Sequence, residues 1–352
     1  MIVKNEEKYL EECLSRAKKL VDKIFITDTG STDSTVEIAK QFGAQVSFFE
    51  WINDFSAARN FALDQSDCDW NLVLDADEHL LSGSREDIQR FIEIGTHKGA
   101  IQRRDFFKGP KGEDRVQLSL TTRLFPKGTR YAGQIHEQVV SELPSAKLPL
   151  VFNHYGYLSE NKGERNLSLL LEQLNKNPDD PYTLYQTAHT LYVLKDHGRA
   201  EPYFEKFYRL VPESAGYRCS GVLSYLMNLI ELESYEKVLE LFQKEDEIMS
   251  DYADYHFLCG NFYIKLILSN IERYIHFLPK VELSFRRCLE IGEGSFENGE
   301  VGCGSFLATY NLGVWYEVNG RIEEAKEFYQ QSAKDGYRLA KERLDILASA
   351  QT

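Results

Sequence analysis

The sequence has few of the features expected of a secreted, membrane-spanning or nucleic-acid-binding protein. Its six cysteines are scattered through 352 residues without a Cys-x-x-Cys pair, which argues against a disulfide framework and against a zinc site. No apolar run is as long as a membrane span, and the N-terminal residues 1–7 do not form a secretory signal. Lys and Arg number 41 against 55 Asp and Glu, a balance of the wrong sign for non-specific binding to nucleic acid or anionic membrane. We therefore expect a cytoplasmic protein with no membrane span and no nucleic-acid partner.

The N-terminal part of the chain has the pattern of an α/β domain. A hydrophobic fraction of 43% can form a sizeable core, and the length suggests two domains. Short apolar strands alternate with helical segments, with strands at 21–26, 44–49 and 70–74 and helices at 8–20, 34–42 and 56–63. Continuous apolar strands between helices indicate a parallel sheet that is buried on both faces. Beyond residue 100 the composition favours β-structure, with a turn predicted at Gly109–Gly112.

The C-terminal part is helical almost throughout and contains repeats. Asp180–Pro212 and Thr309–Tyr337 match the 34-residue tetratricopeptide pattern, with small and aromatic residues at Ala188, Ala200, Phe204, Leu312, Gly313, Tyr316, Ala325 and Tyr329. Degenerate copies are expected at 225–242 and 259–285, the latter with an insertion around 268–278. We predict an α/β domain over residues 1–160 and a helical repeat domain over residues 161–352, whose stacked helix pairs leave a concave surface.

Carboxylates follow two predicted strands. Asp75 and Asp77 come directly after the strand at 70–74, and Asp28 follows the strand at 21–26, which we expect to be its neighbour in the sheet. Residues i and i+2 of a strand point the same way, and open parallel sheets bind ligands at the carboxyl ends of their strands. Oxygen ligands of this kind suit Mg²⁺ or Mn²⁺ together with substrate phosphates. A solvated acidic turn and an Asx turn with a helix cap are the alternative interpretations.

Residues 28–31 also match the Asp-Thr-Gly-Ser signature of aspartic proteases. That chemistry requires two such aspartates. The chain has no second copy of the signature, and residues 34–40 have a helical pattern. We therefore exclude the protease.

Four segments in order resemble family 2 glycosyltransferases of the GT-A (Rossmann-like) fold. They are Met1–Glu7, Asp28–Thr35, Trp51–Asn60 and Leu74–Glu78. With the repeats behind them, they are similar to the subgroup that carries tetratricopeptide units, which includes the sublancin-type peptide S-glycosyltransferases. In that family several strand residues precede the segment that here begins at Met1. The resemblance therefore implies an unusually short first strand, or a start that lies upstream.

The resemblance implies roles for the donor side. Val3, Asn5 and Glu6 flank the nucleotide of a UDP-sugar, and Asp28 binds its uracil. Arg59 approaches the base or the diphosphate. Asp75 holds the ribose or a metal-bound water, and Asp77 binds Mn²⁺ or Mg²⁺ directly.

The subgroup also has counterparts of Gly133–Glu137 and of a His-x-Gly-Tyr pattern at 154–157. By this resemblance, Glu137 deprotonates the acceptor, and His136 orients it or shares that task. His154 is a candidate third metal ligand together with Asp75 and Asp77, or it contacts the diphosphate. Arg123 either contacts the diphosphate or pairs with an acidic neighbour. A structural role for each of these residues stays open.

The function expected from the resemblance is an inverting, metal-dependent transfer from a UDP-sugar. A bacteriocin-like peptide Cys or Ser is the first candidate acceptor, because repeat surfaces commonly bind extended segments. A cell-envelope glycan is the second. A scaffold with a degenerate transferase domain is a further alternative, and self-association as a homodimer through the helical domain is an additional expectation. A processive membrane synthase is excluded, because none of Trp51, Trp70 and Trp315 lies in a Gln-x-x-Arg-Trp motif.

Overall fold

A computed structural model describes residues 1–156, 162–293 and 298–349. The chain separates into two compact units, residues 1–195 and residues 196–352. The domain boundary predicted at residues 160 and 161, and Tyr157 of the predicted His-x-Gly-Tyr pattern, lie outside the described residues. Within the described ranges, no helix is both long enough and apolar enough to cross a membrane.

The first unit begins with a small parallel sheet. Its strands lie in the order β1 (Ile2–Val3), β2 (Phe25–Asp28) and β3 (Gln45–Phe48). Helices follow each strand, namely α1 (Leu10–Ala17), α2 (Thr35–Gln41) and α3 (Phe55–Asp64). The apolar sides of the first two helices pack on the sheet around the buried residues Val3, Leu10, Leu14, Ile26 and Ala39. Strand β1 has two residues.

A second sheet forms the β-rich half of this unit. Its strands include β4 (Trp70–Leu72), β5 (Glu78–Ser82), β6 (Lys98–Lys108), β7 (Asp114–Pro126) and β10 (Ser145–His154). Helix α4 (Arg85–Ile94) lies between β5 and β6 in the chain. Strand β10 runs parallel to β6 and antiparallel to β5. Strands β6 and β7 are antiparallel and are joined by the predicted Gly109–Gly112 turn, which is confirmed. A separate ladder joins β8 (Arg130–Ala132) to β9 (Gln138–Val140).

One expected strand pairing is wrong. The sequence pattern placed β2 and β4 side by side in one parallel sheet, but they belong to different sheets. Strand β4 pairs antiparallel with the end of β7, through Leu72 and Leu124 among others. The physical reason is that β4 is only three residues long and finds its backbone partners on the long strand β7. The two carboxylate-bearing segments are therefore not on hydrogen-bonded neighbours.

Two helices complete the first unit, and the second unit is built of helix pairs. The pair in the first unit consists of α5 (Lys162–Lys176) and α6 (Pro181–Val193). The longer helices of the second unit are α7 (His197–Leu210), α8 (Arg218–Glu231), α9 (Tyr235–Glu245), α10 (Ala253–Ser269), α12 (Leu278–Ile291), α13 (Phe306–Val318), α14 (Ile322–Lys334) and α15 (Arg338–Ser349). The predicted insertion at 268–278 contains the short α11 (Ile271–Tyr274) and a 3₁₀ turn, Ile275–Phe277. A two-residue strand, β11 (Gly299–Glu300), precedes α13.

Small residues let paired helices approach one another, as the repeat pattern predicts. A Cβ added at Gly313 of α13 would lie 2.6 Å from the ring of Tyr329 on α14. A Cβ at Gly260 of α10 would lie 2.7 Å from the ring of Phe285 on α12. Both rings are fully buried, so the aromatic side chains fill the space that the glycines leave.

We predict that Gly313→Ala destabilises the second unit. The added methyl group meets a buried ring, and overpacking of this kind costs about 1–3 kcal/mol. Gly198→Ala on α7 is the matched control, because a Cβ there meets nothing within 4 Å and alanine favours a helix. Urea denaturation followed by circular dichroism measures both variants. Equal stabilities of Gly313→Ala and the control would contradict the close approach.

Candidate functional site

The predicted nucleotide-side residues lie on two loops that are bonded to each other. The Asn5 side chain accepts a hydrogen bond from Thr32 N at 2.8 Å, and Glu6 N donates to Thr35 Oγ1 at 2.7 Å. Thr29 Oγ1 donates to the carbonyl oxygen of Val3 at 3.0 Å. The segment after β1 is thereby fastened to the segment after β2. Val3 at the end of β1, and Asn5 and Glu6 in the loop after it, therefore lie beside the turn after Asp28.

Asp28 is buried at the end of β2, and its carboxylate organises the turn that follows. Asp28 Oδ1 accepts hydrogen bonds from Gly30 N at 2.9 Å and Ser31 N at 3.0 Å. Gly30 has a φ of +104°, a conformation that glycine adopts without steric cost. This is the Asx turn that was the alternative interpretation of the motif. The predicted contact between Asp28 and uracil stays a prediction.

Arg59 lies at the centre of a buried ion-pair network. Its Nη2 donates to Asp75 Oδ1 at 2.8 Å, and its Nε donates to Glu137 Oε1. Burial alone would lower the pKa of the guanidinium group, but the carboxylates of Asp75 and Glu137 raise it. Arg59 is only 7% exposed. It therefore joins the segment after β4 to the segment before β9 through two partly buried ion pairs.

Arg123 holds the other side of Asp75. Its Nη2 donates to Asp75 Oδ2 at 2.7 Å and to Glu78 Oε1, and Glu78 is fully buried. Burial alone would raise the pKa of Asp75, yet the two guanidinium groups of Arg59 and Arg123 hold it well below its ordinary value. Both oxygens of Asp75 are thus engaged by arginines. Its predicted contact with ribose or a metal-bound water stays a prediction.

Asp77 lies beside His154, which is oriented by a further carboxylate. His154 Nε2 is 3.5 Å from Asp77 Oδ2, and His154 Nδ1 is 2.6 Å from Asp105 Oδ1. Burial would lower the pKa of His154, but its bonds to Asp105 and Asp77 raise it to about 9. Arg103 links this group to the first, with its Nε 2.9 Å from Asp105 and its Nη1 3.8 Å from Glu78.

The pair Asp77 and His154 fits a divalent cation better than the predicted group of three does. In the described part of the chain, no cluster of three or more His, Cys, Asp or Glu side chains converges on a point. A Cβ at Gly156 would clash with Asp77 Oδ2 and would lie 2.7 Å from His154 Nε2, so the glycine leaves room for these two side chains. A ligand histidine commonly donates its other ring nitrogen to a carboxylate, which is the arrangement of Asp105. Mg²⁺ and Mn²⁺ take their remaining ligands from water and substrate phosphates.

His136 and Glu137 lie in a turn between β8 and β9. His136 has a φ of +50°, which is uncommon for a residue with a side chain. Its Nε2 is buried and makes no hydrogen bond to the described residues. Burial lowers the pKa of His136, although the charge of Glu137 opposes the shift. The structure thus brings Glu137 into the same ion-pair network as Arg59 and Asp75, with a neutral His136 beside it.

Three network residues, Glu78, Arg103 and Asp105, were not found from the sequence. Glu78 directly follows Asp77, and its position beside the acidic pair was a usable signal. Asp105 lies on β6 and is brought to His154 by the parallel register of β6 and β10. No local pattern reveals that pairing, because it joins residues 49 positions apart.

Comparison with known proteins identifies the N-terminal part of the chain. The family described as "Glycosyl transferase family 2" matches residues 1–146. The TPR repeat-containing protein Synpcc7942_0270 of Synechococcus elongatus is 31% identical over 202 residues, which are 52% of this chain and 49% of that protein. The SPbeta prophage-derived glycosyltransferase SunS of Bacillus subtilis is 28% identical over 221 residues, 58% of this chain and 51% of that protein. The chain spans about half the length of these relatives.

Solved structures of repeat proteins match this chain with low TM-scores. TTC0263, a thermophilic TPR protein of Thermus thermophilus, is 18% identical with a TM-score of 0.39, over 54% of this chain and 92% of that protein.

We predict that His189 on α6 is neutral and stabilises the first unit in a pH-dependent way. Burial lowers its pKa to about 4, and the nearby His136 adds to the shift. Because the folded-state pKa is below the unfolded value of about 6.5, the contribution is complete above that pH and is lost as the pH falls towards 4. Histidine-ring NMR titration, with His189→Gln for assignment, measures the pKa.

Urea denaturation at two pH values measures the same effect. Between pH 7 and pH 5, the free energy of unfolding of the wild type should fall by about 1–2 kcal/mol more than that of His189→Gln. A titration midpoint of His189 near 6.5, or equal losses in the two proteins, would contradict the prediction.

Proposed function

We propose, from the premise that residues 1–146 are a family 2 glycosyltransferase domain, that this chain transfers a sugar from a UDP-sugar to a side chain of a peptide acceptor. The proposal rests mainly on one observation. The buried Arg59 binds both Asp75, at the candidate donor side, and Glu137, at the candidate acceptor side. These two ion pairs hold the candidate donor and acceptor segments beside one another, which a transfer between the two sides requires.

On the donor side, the two bonded loops hold the nucleotide. Val3, Asn5 and Glu6 flank it, and Asp28 accepts a hydrogen bond from the imide N–H of uracil with the lone pairs that its own turn leaves. Arg59 and Arg123 fix the carboxylate of Asp75 and keep it ionised. Asp75 is then available to accept from a ribose hydroxyl.

Asp77 and His154 would hold the Mn²⁺ or Mg²⁺, with Asp105 orienting the imidazole. Such an ion neutralises charge that develops on the departing diphosphate. His154 must release its Nε2 proton to act as a ligand. The other ring nitrogen, Nδ1, then carries the remaining proton and donates a hydrogen bond to Asp105.

On the acceptor side, Glu137 acts as the general base of an inverting, single in-line displacement. It takes the proton of the acceptor hydroxyl or thiol as the oxygen or sulfur attacks the anomeric carbon and the bond from that carbon to the diphosphate breaks. Arg59 orients the Glu137 carboxylate through Oε1. His136, which is neutral, orients the acceptor.

The acceptor class rests on the resemblance to peptide S-glycosyltransferases and on the stacked helix pairs, which commonly bind extended segments. A Cys or Ser of a bacteriocin-like peptide is the acceptor that we propose. A mass-spectrometric screen of UDP-hexoses and UDP-N-acetylhexosamines against such peptides and against envelope glycans tests it. If sugar is transferred only to the glycans, the proposed peptide acceptor is wrong and the acceptor is a glycan.

We predict that Asp77→Asn removes metal-dependent turnover of the UDP-sugar. The neutral amide is a weaker ligand than the carboxylate, so titration calorimetry with UDP and Mn²⁺ should show binding weakened by more than about tenfold, as the loss of one charged ligand can produce. Asp67→Asn, at an exposed carboxylate that pairs with Lys23, is the matched control and should leave both measurements unchanged. Full turnover in Asp77→Asn would refute the metal role.

We predict that Glu137→Gln lowers kcat of transfer by about 10²–10⁴-fold, the contribution typical of a general base. The affinity for UDP and Mn²⁺ should be kept, because Glu137 lies on the acceptor side. Glu142→Gln, at an exposed position a few residues along, is the control, and thermal unfolding checks that each variant is folded. A kcat that is unchanged in folded Glu137→Gln would remove this residue from the mechanism.

A further inference from the structure

We infer that the helix pair α5–α6 is a positioning element for the turn that carries His136 and Glu137, with Gln138 and Tyr182 as its positioning residues. The turn was assigned from the sequence to the α/β domain and the helices to the repeat domain, yet all of them lie in one compact unit, residues 1–195. The kinetic part of this inference rests on the proposed function. The structural part does not.

The turn needs outside support because its backbone is strained. His136 has a φ of +50°, and a non-glycine residue in such a region costs about 1–3 kcal/mol. Strain of this kind persists only where surrounding contacts enforce it. The ladder of β8 and β9 is three residue pairs long, so the strands that flank the turn supply little of that constraint.

Gln138 joins the strained residue to helix α6. Its side-chain amide donates to the carbonyl oxygen of His136 at 3.0 Å and to Tyr182 Oη at 2.7 Å. Tyr182 is the second residue of α6, and Asp180 caps that helix by accepting from Thr183 N at 2.9 Å. The hydroxyl group therefore sits on a well-defined helix end. The side-chain amide of Gln138 thus connects α6 to the backbone of His136.

Helix α5 holds the residues before the turn. Ile135 is buried against Leu169 and Leu170 of α5. Gln134 accepts from Lys176 Nζ at 3.1 Å and donates to Glu172 Oε1 at 3.3 Å. The residues on both sides of His136 are therefore bound to helices that follow the α/β domain.

This arrangement constrains the candidate base. Glu137 lies between His136, which is held through Gln138, and the guanidinium group of Arg59. A base must be within hydrogen-bond reach of the proton that it takes, and small displacements of reacting groups are costly in rate. Loss of the contact to α6 should thus lower kcat without weakening donor binding.

The test is Tyr182→Phe in the full chain. This change removes the hydroxyl group that Gln138 contacts and keeps the aromatic ring. Tyr203→Phe on α7 is the control, since the same atom is removed from a helix of the second unit. Hydrogen–deuterium exchange of the peptide covering residues 133–140, kcat and KM for each substrate, and thermal unfolding are measured for all three proteins.

We expect faster exchange at residues 133–140 in Tyr182→Phe and a kcat lowered by about tenfold, as one lost hydrogen bond can produce, with donor KM and unfolding temperature unchanged. Exchange equal to that of the wild type would overturn the inference, as would faster exchange with an unchanged kcat in an active enzyme. If the wild type has no transferase activity, the proposed function fails. Faster exchange in Tyr182→Phe alone would then still support the positioning role of α6.

Discussion

The buried guanidinium group of Arg59 is the constraint on which the candidate site depends. It is bonded to Asp75 on one side and Glu137 on the other, and it thereby joins two segments that are far apart in the sequence. Arg123 and Glu78 continue the network, and Arg103 extends it to Asp105 and His154. The charges in this network compensate one another, because an unpaired buried charge is costly. The result is a set of polar side chains held in one arrangement.

The two sides of the site are supported by different parts of the chain. The proposed donor side is built from the segments after β1, β2 and β4, all within the first 80 residues. The proposed acceptor side is a strained turn that contacts helices α5 and α6. Repeat-type helices thus start inside the compact unit that holds the candidate site.

Sequence reasoning recognised most of the residues but not their partners. Arg59, Asp75, Asp77, Arg123, Glu137 and His154 all lie in or beside the network, whereas Asp28 is bonded to its own turn. Their roles in ligand binding stay predictions. Asp75 was expected beside a metal ion, whereas its oxygens bind Arg59 and Arg123. Asp105 was missed, because only the register of β6 and β10 brings it to His154. Partners of this kind come from distant strands, and a local pattern carries no information about them.

The sequence by itself determined the α/β class of the first half, the family of its motifs, the turn at Gly109–Gly112 and the small-to-aromatic packing of the helix pairs. These follow from local periodicity, turn chemistry and residue size, which are readable over short windows. Tertiary structure alone decided that β4 pairs with β7 rather than with β2, that Arg59 joins Asp75 to Glu137, and that α6 supports the turn at His136. Each of these depends on which distant segments meet, and that is set by the balance of burial and backbone pairing over the whole unit.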